Sequence, residues 1–439
     1  MKKVLVLGAG LVAGPLVRYL LDVEEFHVTV ASRTVEKAQA LVGEASNGTA
    51  LRLNVKDVDA LEALITDHDL SISLLPYAYH PTVAKYCVKH KRQMVTTSYI
   101  KPEMRALDAD ARAANVILLN EIGVDPGIDH MSAMEVIHKI EAAGGKLLSF
   151  TSNTGGLPSP DANDNPFGYK FSWAPRGVVM AGKNPAKFLK DGAVVDVPGP
   201  ELFDHHWPCE VKGFGMLEVY PNRDSMPYIE DYGIPTVTSM FRGTLRYPGW
   251  CKTLKAIVTL GLLDEAERTD IEGLSYGQLI ARLISSDGVN LKRDLAAFLG
   301  IAPDAKPIAD LEWLGLLGDD LIPAADNTYL DVVASRMLSK MEYASGEQDM
   351  LVMQHEFVAQ YSDRKEKTFS TMVDYGIPNG DSSMSRLVGL PAAVAARMIL
   401  QGEIQLTGVY APTVPEIYGP VLEELATMGI SFTETVEQL

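Results

Sequence analysis

Near the start of the chain, Gly8, Gly10 and Ala13 have the Gly-x-Gly-x-x-Ala spacing that is typical of dinucleotide-binding proteins. The apolar run Val4–Leu7 precedes this motif and a helix start follows it, which is the order that a strand–turn–helix nucleotide site requires. Gly8 permits a tight turn, Gly10 lets the backbone approach a pyrophosphate, and Ala13 allows close helix packing. Free N–H groups at the helix start favour the negative charge. The sequence therefore predicts a dinucleotide cofactor here.

The second strand-like segment, His27 to Ser32, indicates which nucleotide is bound. A site that prefers NAD usually places Asp or Glu at the end of this strand, where it binds the ribose 2′-hydroxyl. This chain has Ser32-Arg33-Thr34 instead. A guanidinium can bind a 2′-phosphate through two parallel charged hydrogen bonds. We therefore expect NADP rather than NAD; the alternative is that Arg33 is an ordinary solvated residue at a helix start.

The elements that must position these residues alternate regularly over about the first 125 residues. Strand-like and helix-like segments follow one another, so the sequence predicts a Rossmann, doubly wound parallel sheet with its ligand at the carboxyl ends of the strands. The predicted strands are Val4–Leu7, Val28–Ala31, Leu70–Leu75, Met94–Thr97 and Val116–Asn120. Residues that could contact a ligand follow three of these strands, at Leu75, at Thr97 to Tyr99, and at Val124 and Asp125.

The pattern then changes to strand-like segments without regular helices between them, which predicts a second, mixed α/β domain with a mostly helical insertion. The predicted strands there are Lys146–Thr154, Glu210–Tyr220, Met350–Gln360 and Lys367–Tyr375. We expect a dinucleotide-binding domain at 1–125 with 385–439 packing back on it. A substrate and dimerisation domain would cover 126–248 and 341–384, and 249–340 would be the helical insertion.

Composition narrows the functional classes. The 439 residues carry a formal net charge of −18, which argues against a nucleic-acid surface or an anionic membrane. An anionic substrate would need its own local arginines. The three cysteines lack metal-type spacing, so neither a disulfide framework nor a zinc or other metal site is expected. No apolar stretch approaches membrane-spanning length and no signal peptide is recognised, so we expect a cytoplasmic protein.

Several blocks together resemble the saccharopine reductase family, the NADP-dependent, L-glutamate-forming saccharopine dehydrogenases. These blocks are GAGLVAGP, VASRT, SLLPY, VTTSYI, NEIGVDPGIDH, GGLPSPDANDNPFGYKFSWAPRG, YPNRDS and RGTLRYPG, with LVGLPAAVAARMIL near the end. The GGLP…NPFGYKFSW block is highly specific, whereas the glycine motif alone is not. The resemblance implies reversible, NADP(H)-dependent interconversion of saccharopine with 2-aminoadipate 6-semialdehyde and L-glutamate, in lysine metabolism, by a homodimer.

The resemblance also implies roles at matching positions. For the cofactor these are Leu11, Val12, Ala13, Ser32, Arg33, Asn54, Val55, Leu75, Thr97, Val124 and Asp125, with Ser172 as a further position. For the substrate they are Ser98, Tyr99, Asp125, Arg223, Thr244, Leu245 and Arg246.

Saccharopine carries three carboxylates, so its site needs fixed cations. Arg223 and Arg246 lie in family blocks and could bind carboxylates in a bidentate geometry. The alternative for each is a surface ion pair, and Arg242 fits that alternative equally well.

Imine formation and hydrolysis also need proton transfers near the reacting carbon. We expect Asp125 to take that role or to pair with the cationic secondary amine of saccharopine. Tyr99 would be a hydrogen-bond donor or relay. Lys170 is a weaker candidate. The alternative for Asp125 is that it only caps a helix begun at Pro126.

Two other functions remain open on the sequence. A carboxynorspermidine-type dehydrogenase also reduces an imine, but its polyamine substrate favours an acidic pocket. A non-catalytic NADP-binding protein could use the same Rossmann frame.

Overall fold

A computed structural model describes residues 1–172 and 175–439. Its strands, numbered in chain order, are β1 Lys2–Leu7, β2 Phe26–Ser32, β3 Gly48–Arg52, β4 Leu70–Ser73, β5 Gln93–Thr96, β6 Ile117–Leu119, β7 Lys146–Pro158, β8 Ala186–Lys190, β9 Ala193–Val197, β10 Trp207–Val211, β11 Gly215–Pro221, β12 Ser239–Arg246, β13 Asp349–Gln360, β14 Lys365–Tyr375, β15 Gly408–Tyr410 and β16 Thr433–Gln438. Its helices are α1 Ala13–Leu21, α2 Val35–Val42, α3 Val58–Asp67, α4 His80–His90, α5 Pro102–Arg105, α6 Asp108–Ala114, α7 Ile128–Ala142, α8 Pro175–Met180, α9 Pro227–Asp231, α10 Trp250–Thr259, α11 Tyr276–Leu283, α12 Leu291–Leu299, α13 Lys306–Leu314, α14 Tyr329–Lys340, α15 Ser383–Gln401 and α16 Pro415–Thr427.

The chain divides into two compact units. The first contains Met1–Gly145 and Gly380–Thr433, and the second contains Lys146–Asn379 and Glu434–Leu439. The first unit extends past the predicted boundary at residue 125 because α7 packs against α16, where the Tyr418 hydroxyl lies 2.7 Å from His138 Nδ1. The last six residues belong to the second unit, because β16 joins β14.

The first unit is built on a seven-stranded sheet with the order β15-β6-β5-β4-β1-β2-β3. Every pair of neighbours is parallel. This confirms the predicted doubly wound Rossmann architecture. Successive strands are added on one side of β1 and then on the other, and this switch leaves a crevice beside the carboxyl end of β1. Val4, Leu5, Val6 and Leu7 are fully buried, as expected for a central parallel strand covered on both faces.

Helix α15 returns from the distant end of the chain and packs on α1. At Gly389 the contact is so close that a Cβ atom would lie 2.7 Å from the Val12 carbonyl oxygen. By length and composition α15 could cross a membrane, with 19 residues and a mean hydropathy of 1.3, so the expectation that no stretch approaches that length is wrong. Its most apolar window is 67% buried inside the protein, and packing on α1 explains that composition.

The second unit contains a mixed sheet ordered β10-β11-β12-β7-β13-β14-β16, with β8 pairing β12 and β9. Helices α10 to α14 share one buried core with this sheet, in which Trp250 and Leu254 of α10 lie in the same cluster as Leu245 and Val352. The predicted single strand Glu210 to Tyr220 is a hairpin of β10 and β11, because Gly213 turns the chain with a φ of +78°.

Candidate active site

The glycine turn has the geometry that a pyrophosphate needs. Gly8 has a φ of +114° and a Cβ there would lie 3.1 Å from the Leu74 carbonyl oxygen, whereas a Cβ at Gly10 would meet nothing within 4 Å. Helix α1 follows with Val12 as N-cap, without a side-chain cap and without an acidic residue in its first turn. An unobstructed helix start with a backbone open to solvent fits an anionic group. The residues present therefore fit the pyrophosphate of a dinucleotide.

Most of the other predicted cofactor residues lie at the same edge of the sheet, because the carboxyl ends of parallel strands meet there. In strand order along the chain they are Gly8 to Ala13 after β1, Ser32 and Arg33 at β2, Asn54 and Val55 after β3, Leu75 after β4, Thr97 after β5, and Val124 and Asp125 after β6. Ser172 belongs to the second unit. The first unit thus gathers every predicted cofactor residue except Ser172 at one edge.

Arg33 lies at the end of β2 and is exposed. Within the described ranges 1–172 and 175–439 its guanidinium forms no ion pair or hydrogen bond with the protein. The neighbouring Ser32 hydroxyl accepts a hydrogen bond from the Thr34 N–H at 3.3 Å, which folds the turn at the strand end. A hydroxyl and an exposed guanidinium next to the strand end suit a 2′-phosphate.

Tyr99 and Asp125, which are 26 positions apart in sequence, meet in the first unit. The Tyr99 hydroxyl donates to Asp125 Oδ1 at 3.4 Å, a long hydrogen bond. Both side chains are half-buried, and each has a further contact. The structure therefore brings together the two residues that the sequence analysis proposes for proton transfer and hydrogen bonding.

The helix-cap alternative for Asp125 is wrong. Helix α7 begins at Ile128, and its N-cap is Gly127, which has no side chain that could cap the helix. The Gly127 N–H instead donates to Asp129 Oδ1 at 2.6 Å. Only glycine fits at 127, because the φ is +147° and a Cβ would lie 2.1 Å from the Gly123 carbonyl oxygen. Asp125 therefore lies in the tight turn before the helix, two residues before its N-cap.

Two residues that the sequence analysis missed fix the loop that carries Ser98 and Tyr99. Glu121 Oε1 accepts the Ile100 N–H at 2.7 Å, and Glu121 Oε2 lies 2.8 Å from His130 Nε2. His80 Nε2 lies 2.8 Å from the Ser98 hydroxyl. No sequence motif signals these pairs, because partners that are 9 to 21 positions apart meet only through the fold.

Arg246 ends β12 in the second unit and is only 6% exposed. Its guanidinium carbon lies 4.9 Å from the centre of the Tyr169 ring and 5.4 Å from that of Trp250. Nη1 donates to the Leu245 carbonyl at 2.7 Å, but the buried Nε has no hydrogen-bond partner. In the part of the chain that the structure describes, no carboxylate pairs with this cation. Glu218, also buried, lies opposite Arg246 on β11, and its carboxylate accepts the Gly249 and Cys251 N–H groups. A buried guanidinium nitrogen without a hydrogen-bond partner is costly and favours a ligand acceptor beside it.

The other predicted substrate residues of the second unit occupy different surroundings. Thr244 is half-buried and lies on the same strand face as Arg246, since side chains alternate along β12. Leu245 points the other way into the core and is fully buried, so only its backbone is available to a ligand. Arg223 follows β11 and is exposed, with a φ of +57°.

Arg223 and Arg246 lie at opposite ends of the β11–β12 pairing. The Asn222 N–H donates to the Arg242 carbonyl at 2.8 Å, which places the start of the Arg223 turn beside Arg242. Residues 242 and 246 are separated by about 13 Å along an extended strand. Arg242 is buried and stacks on Tyr228 with its Cζ 4.2 Å from the ring centre, which gives it a structural partner.

Lys170 forms two ion pairs in the second unit. Its Nζ lies 2.7 Å from Glu347 and 3.0 Å from Asp164, and the side chain is 4% exposed. Burial lowers the pKa of Lys170, but the hydrogen bonds to Glu347 and Asp164 raise it by more, so the pKa lies above its usual value. The residue stays charged at neutral pH.

A cavity of about 820 Å³ in the second unit lies among Trp207, Cys209 and Phe241, and none of the predicted site residues lines it. The predicted site residues of this unit therefore lie outside this cavity. Residues 1–172 and 175–439 contain no group of three His, Cys, Asp or Glu side chains that could hold a metal ion.

The sequence matches two family models that together cover most of the chain. Residues 4–119 match the family model for the saccharopine dehydrogenase NADP binding domain, and residues 123–430 match that for the saccharopine dehydrogenase C-terminal domain. The chain belongs to the saccharopine dehydrogenase family. It is 40% identical, over 99% of both chains, to saccharopine dehydrogenase [NADP(+), L-glutamate-forming] of Schizosaccharomyces pombe.

Two further proteins are similar to this chain over nearly its whole length. The chain is 41% identical over 98% of its length to the mitochondrial alpha-aminoadipic semialdehyde synthase of Bos taurus, and spans 47% of that protein. Its structure matches apo histidine-tagged saccharopine dehydrogenase (L-Glu forming) from Saccharomyces cerevisiae with a TM-score of 0.93, 38% identity and complete coverage of both chains. The resemblance inferred from the sequence is confirmed.

Replacing Arg33 with aspartate should raise the Kd for NADPH by at least about tenfold, because a charged hydrogen-bonded contact contributes about 1.5–3 kcal/mol. Fluorescence titration of the free enzyme with NADPH and with NADH measures it, and NADH binding should change much less. Lys2→Asp makes the same charge change at the amino end of β1 and should leave NADPH binding unaltered. An unchanged NADPH constant in the Arg33 variant would remove the 2′-phosphate assignment.

Replacing Arg246 with methionine should raise the KM for saccharopine by roughly 30-fold or more, since losing one partner of a buried charge pair costs about 2–5 kcal/mol. NADPH affinity should stay within about twofold. Arg268→Met is the matched control, because Arg268 stacks on Tyr329 at 4.0 Å but is paired with Asp264. Equal losses of affinity for both ligands, or the same loss in the Arg268 variant, would contradict a carboxylate-binding role.

Proposed function

We propose that this chain catalyses the NADP-dependent, L-glutamate-forming saccharopine dehydrogenase reaction of lysine metabolism. Saccharopine, NADP⁺ and water are converted to 2-aminoadipate 6-semialdehyde, L-glutamate, NADPH and a proton, and the reaction is reversible. The observation that carries the proposal is Arg246, a buried guanidinium without a carboxylate partner among the described residues. It fits a substrate with carboxylates and disfavours a polyamine.

Three carboxylates on a flexible chain require cations at separate points. Arg246 supplies one that is buried and backed by two aromatic rings, and Arg223 supplies a second that is exposed. A guanidinium holds a carboxylate with two parallel hydrogen bonds, which fixes orientation as well as position. Orientation matters because hydride transfer depends on alignment of the reacting carbon.

The cofactor fit supports the same proposal. The open glycine turn, the uncommitted Arg33 and the strand ends of the first unit suit NADP. The chemistry that bound NADP supplies is hydride acceptance from the carbon–nitrogen centre of saccharopine, or hydride donation in the reverse direction. The chain's own residues bind and orient the ligands and move protons.

Asp125 and Tyr99 are the residues that we propose for those proton steps. In its ionised form the Asp125 carboxylate can pair with the cationic secondary amine of saccharopine and accept a proton from it or from water. The Tyr99 hydroxyl, 3.4 Å from Asp125 Oδ1, donates a hydrogen bond that holds the carboxylate in place. Ser98 and Thr244 would add hydrogen bonds to the substrate, and Leu245 would contribute through its backbone.

Two further features belong to the proposal. We propose a homodimer, which the family resemblance supports, and size-exclusion chromatography with light scattering measures it. We also propose a cytoplasmic location, which the three free, buried cysteines support because they suit a reducing compartment. Fractionation of cells that express the chain tests this location.

The direct experiment is NADP⁺ reduction followed by absorbance with saccharopine, with carboxynorspermidine and with neither. We expect turnover with saccharopine alone, with glutamate as a product. Turnover with carboxynorspermidine would support the other imine reductase. NADP⁺ binding without turnover on any substrate would support a non-catalytic NADP-binding protein.

Asp125→Asn should lower kcat/KM for saccharopine by about 10²-fold, within the range for loss of a general acid–base group. Activity that depends on an ionised carboxylate falls as the pH drops through its pKa, so the variant should lose the acidic limb of the pH–rate profile. Asp110→Asn, an exposed carboxylate on α6, is the control and should retain the wild-type profile. A variant with wild-type rate and profile would rule out Asp125 as the proton-transfer residue.

A further inference from the structure

His80 is a buried histidine that the proposed mechanism does not use. It is 3% exposed and lies at the start of α4, between the carboxyl ends of β4 and β5. Its Nδ1 lies 2.9 Å from the Ser73 hydroxyl and its Nε2 lies 2.8 Å from the Ser98 hydroxyl. The ring therefore bridges two serines on neighbouring strands, and one of them is a proposed substrate-binding residue.

The position of the ring proton follows from a third residue. The Thr96 hydroxyl donates its single proton to the Ser73 carbonyl at 2.9 Å, so it presents only lone pairs to His80 Nε2, which lies 3.5 Å away. A lone pair on Nε2 would face those lone pairs, whereas an N–H on Nε2 is compatible with both Thr96 and Ser98. Nδ1 then accepts the proton of the Ser73 hydroxyl. The surroundings select the Nε2–H tautomer.

This tautomer determines what Ser98 can do. Because Nε2–H donates to the Ser98 oxygen, the serine proton is not used by the histidine. Ser98 follows β5, and its carbonyl accepts the Glu121 N–H at 3.1 Å, which holds the backbone of this residue in place. The side chain is half-buried at the ligand-binding edge of the sheet, so its hydroxyl proton is available to a ligand acceptor.

We propose that His80 is a positioning residue that holds the Ser98 hydroxyl as a hydrogen-bond donor toward a carboxylate of the bound substrate. The proposal rests on the proposed function for the identity of the substrate. Burial lowers the pKa of His80 to about 4, which keeps the ring neutral at pH 7 and preserves one donor and one acceptor. A purely structural role would tie β4 to β5 without affecting substrate binding selectively.

The matched variants are His80→Gln and His80→Asn. A glutamine amide can reach the position of Nε2 and still donate to Ser98, whereas the shorter asparagine reaches only the position of Nδ1. We expect His80→Asn and Ser98→Ala each to raise the KM for saccharopine by about tenfold, with a smaller effect on kcat. His80→Gln should stay within about threefold of wild type. NADPH affinity, measured by fluorescence, should not change in any of them.

A double-mutant cycle separates positioning from structure. If His80 acts through Ser98, the His80→Asn/Ser98→Ala variant should bind saccharopine no more weakly than Ser98→Ala alone, within about twofold. Additive losses, or equal losses for the Asn and Gln variants, would overturn the proposal. Thermal unfolding of each variant identifies any that fail to fold; if His80→Asn is one of them, His80→Gln decides alone, and a KM for saccharopine raised as much as in Ser98→Ala would overturn the proposal.

A readout that does not need the proposed reaction is the tautomer itself. In the full chain labelled with ¹⁵N-histidine, the signal lost in His80→Gln identifies His80. We expect a protonated Nε2 and an unprotonated Nδ1 at pH 7. Protonation of Nδ1 alone, or of both nitrogens, would overturn the assignment. If wild type does not turn over saccharopine, the proposed function is wrong. The NMR measurement still tests the tautomer of His80 independently, because it needs no substrate.

Discussion

The parallel pairing of β1 with β2 on one side and with β4 on the other is the constraint on which the first unit depends. It brings the carboxyl ends of all seven strands to one edge of the sheet and opens a crevice where the direction of sheet growth reverses. The crevice is narrow, since Gly8 lies close enough to the Leu74 carbonyl that a Cβ would be only 3.1 Å from it. A side chain at Gly8 would push β1 and β4 apart, and the phosphate-binding turn would move with them.

A distant segment stabilises that turn from behind. Helix α15 begins more than 360 residues after the end of α1, yet Gly389 leaves no room between the two helices at the Val12 carbonyl. Arg18 of α1 and Asp381, just before α15, form an ion pair at the same junction. The N-cap of α1 is thus fixed both by the strand that precedes it and by a helix from the other end of the chain.

Repetition and local chemistry made much of the first unit predictable from the sequence. The βα alternation and the glycine spacing are local signals, and they predict the Rossmann sheet and its ligand-binding edge. Short β3 and β15 escaped prediction: β3 has no fully buried residue, and β15 lies far along the chain from the other strands of its sheet. In the second unit β12, which carries Arg246, was not predicted as a strand because arginine and glycine interrupt its apolar alternation.

The partners of a side chain were harder to predict than its element. Asp125 could be a helix cap or a functional carboxylate on sequence alone, and the positive-φ turn at Gly127 removes the first alternative by starting the helix at Ile128. The missing partner of Arg246 and the two serines around His80 are also invisible in the sequence, because each depends on which strands become neighbours. Element type follows from local periodicity, whereas hydrogen-bonding partners follow from strand order and register.

Among the residues that the structure describes, neither Arg33 nor Arg246 forms an ion pair, but the physical consequences differ. Arg33 is exposed, so water and salt compensate its charge when no ligand is present, and its contribution to binding is screened. Arg246 is buried, so an uncharged or cationic ligand beside it would leave the guanidinium desolvated and unpaired. A site that holds a buried polar group in this way rejects ligands without the matching group far more strongly than it rewards a small apolar difference. We therefore expect nucleotide preference at Arg33 to be graded and salt-dependent, and the proposed preference for a carboxylate at Arg246 to depend much less on salt because that residue is buried.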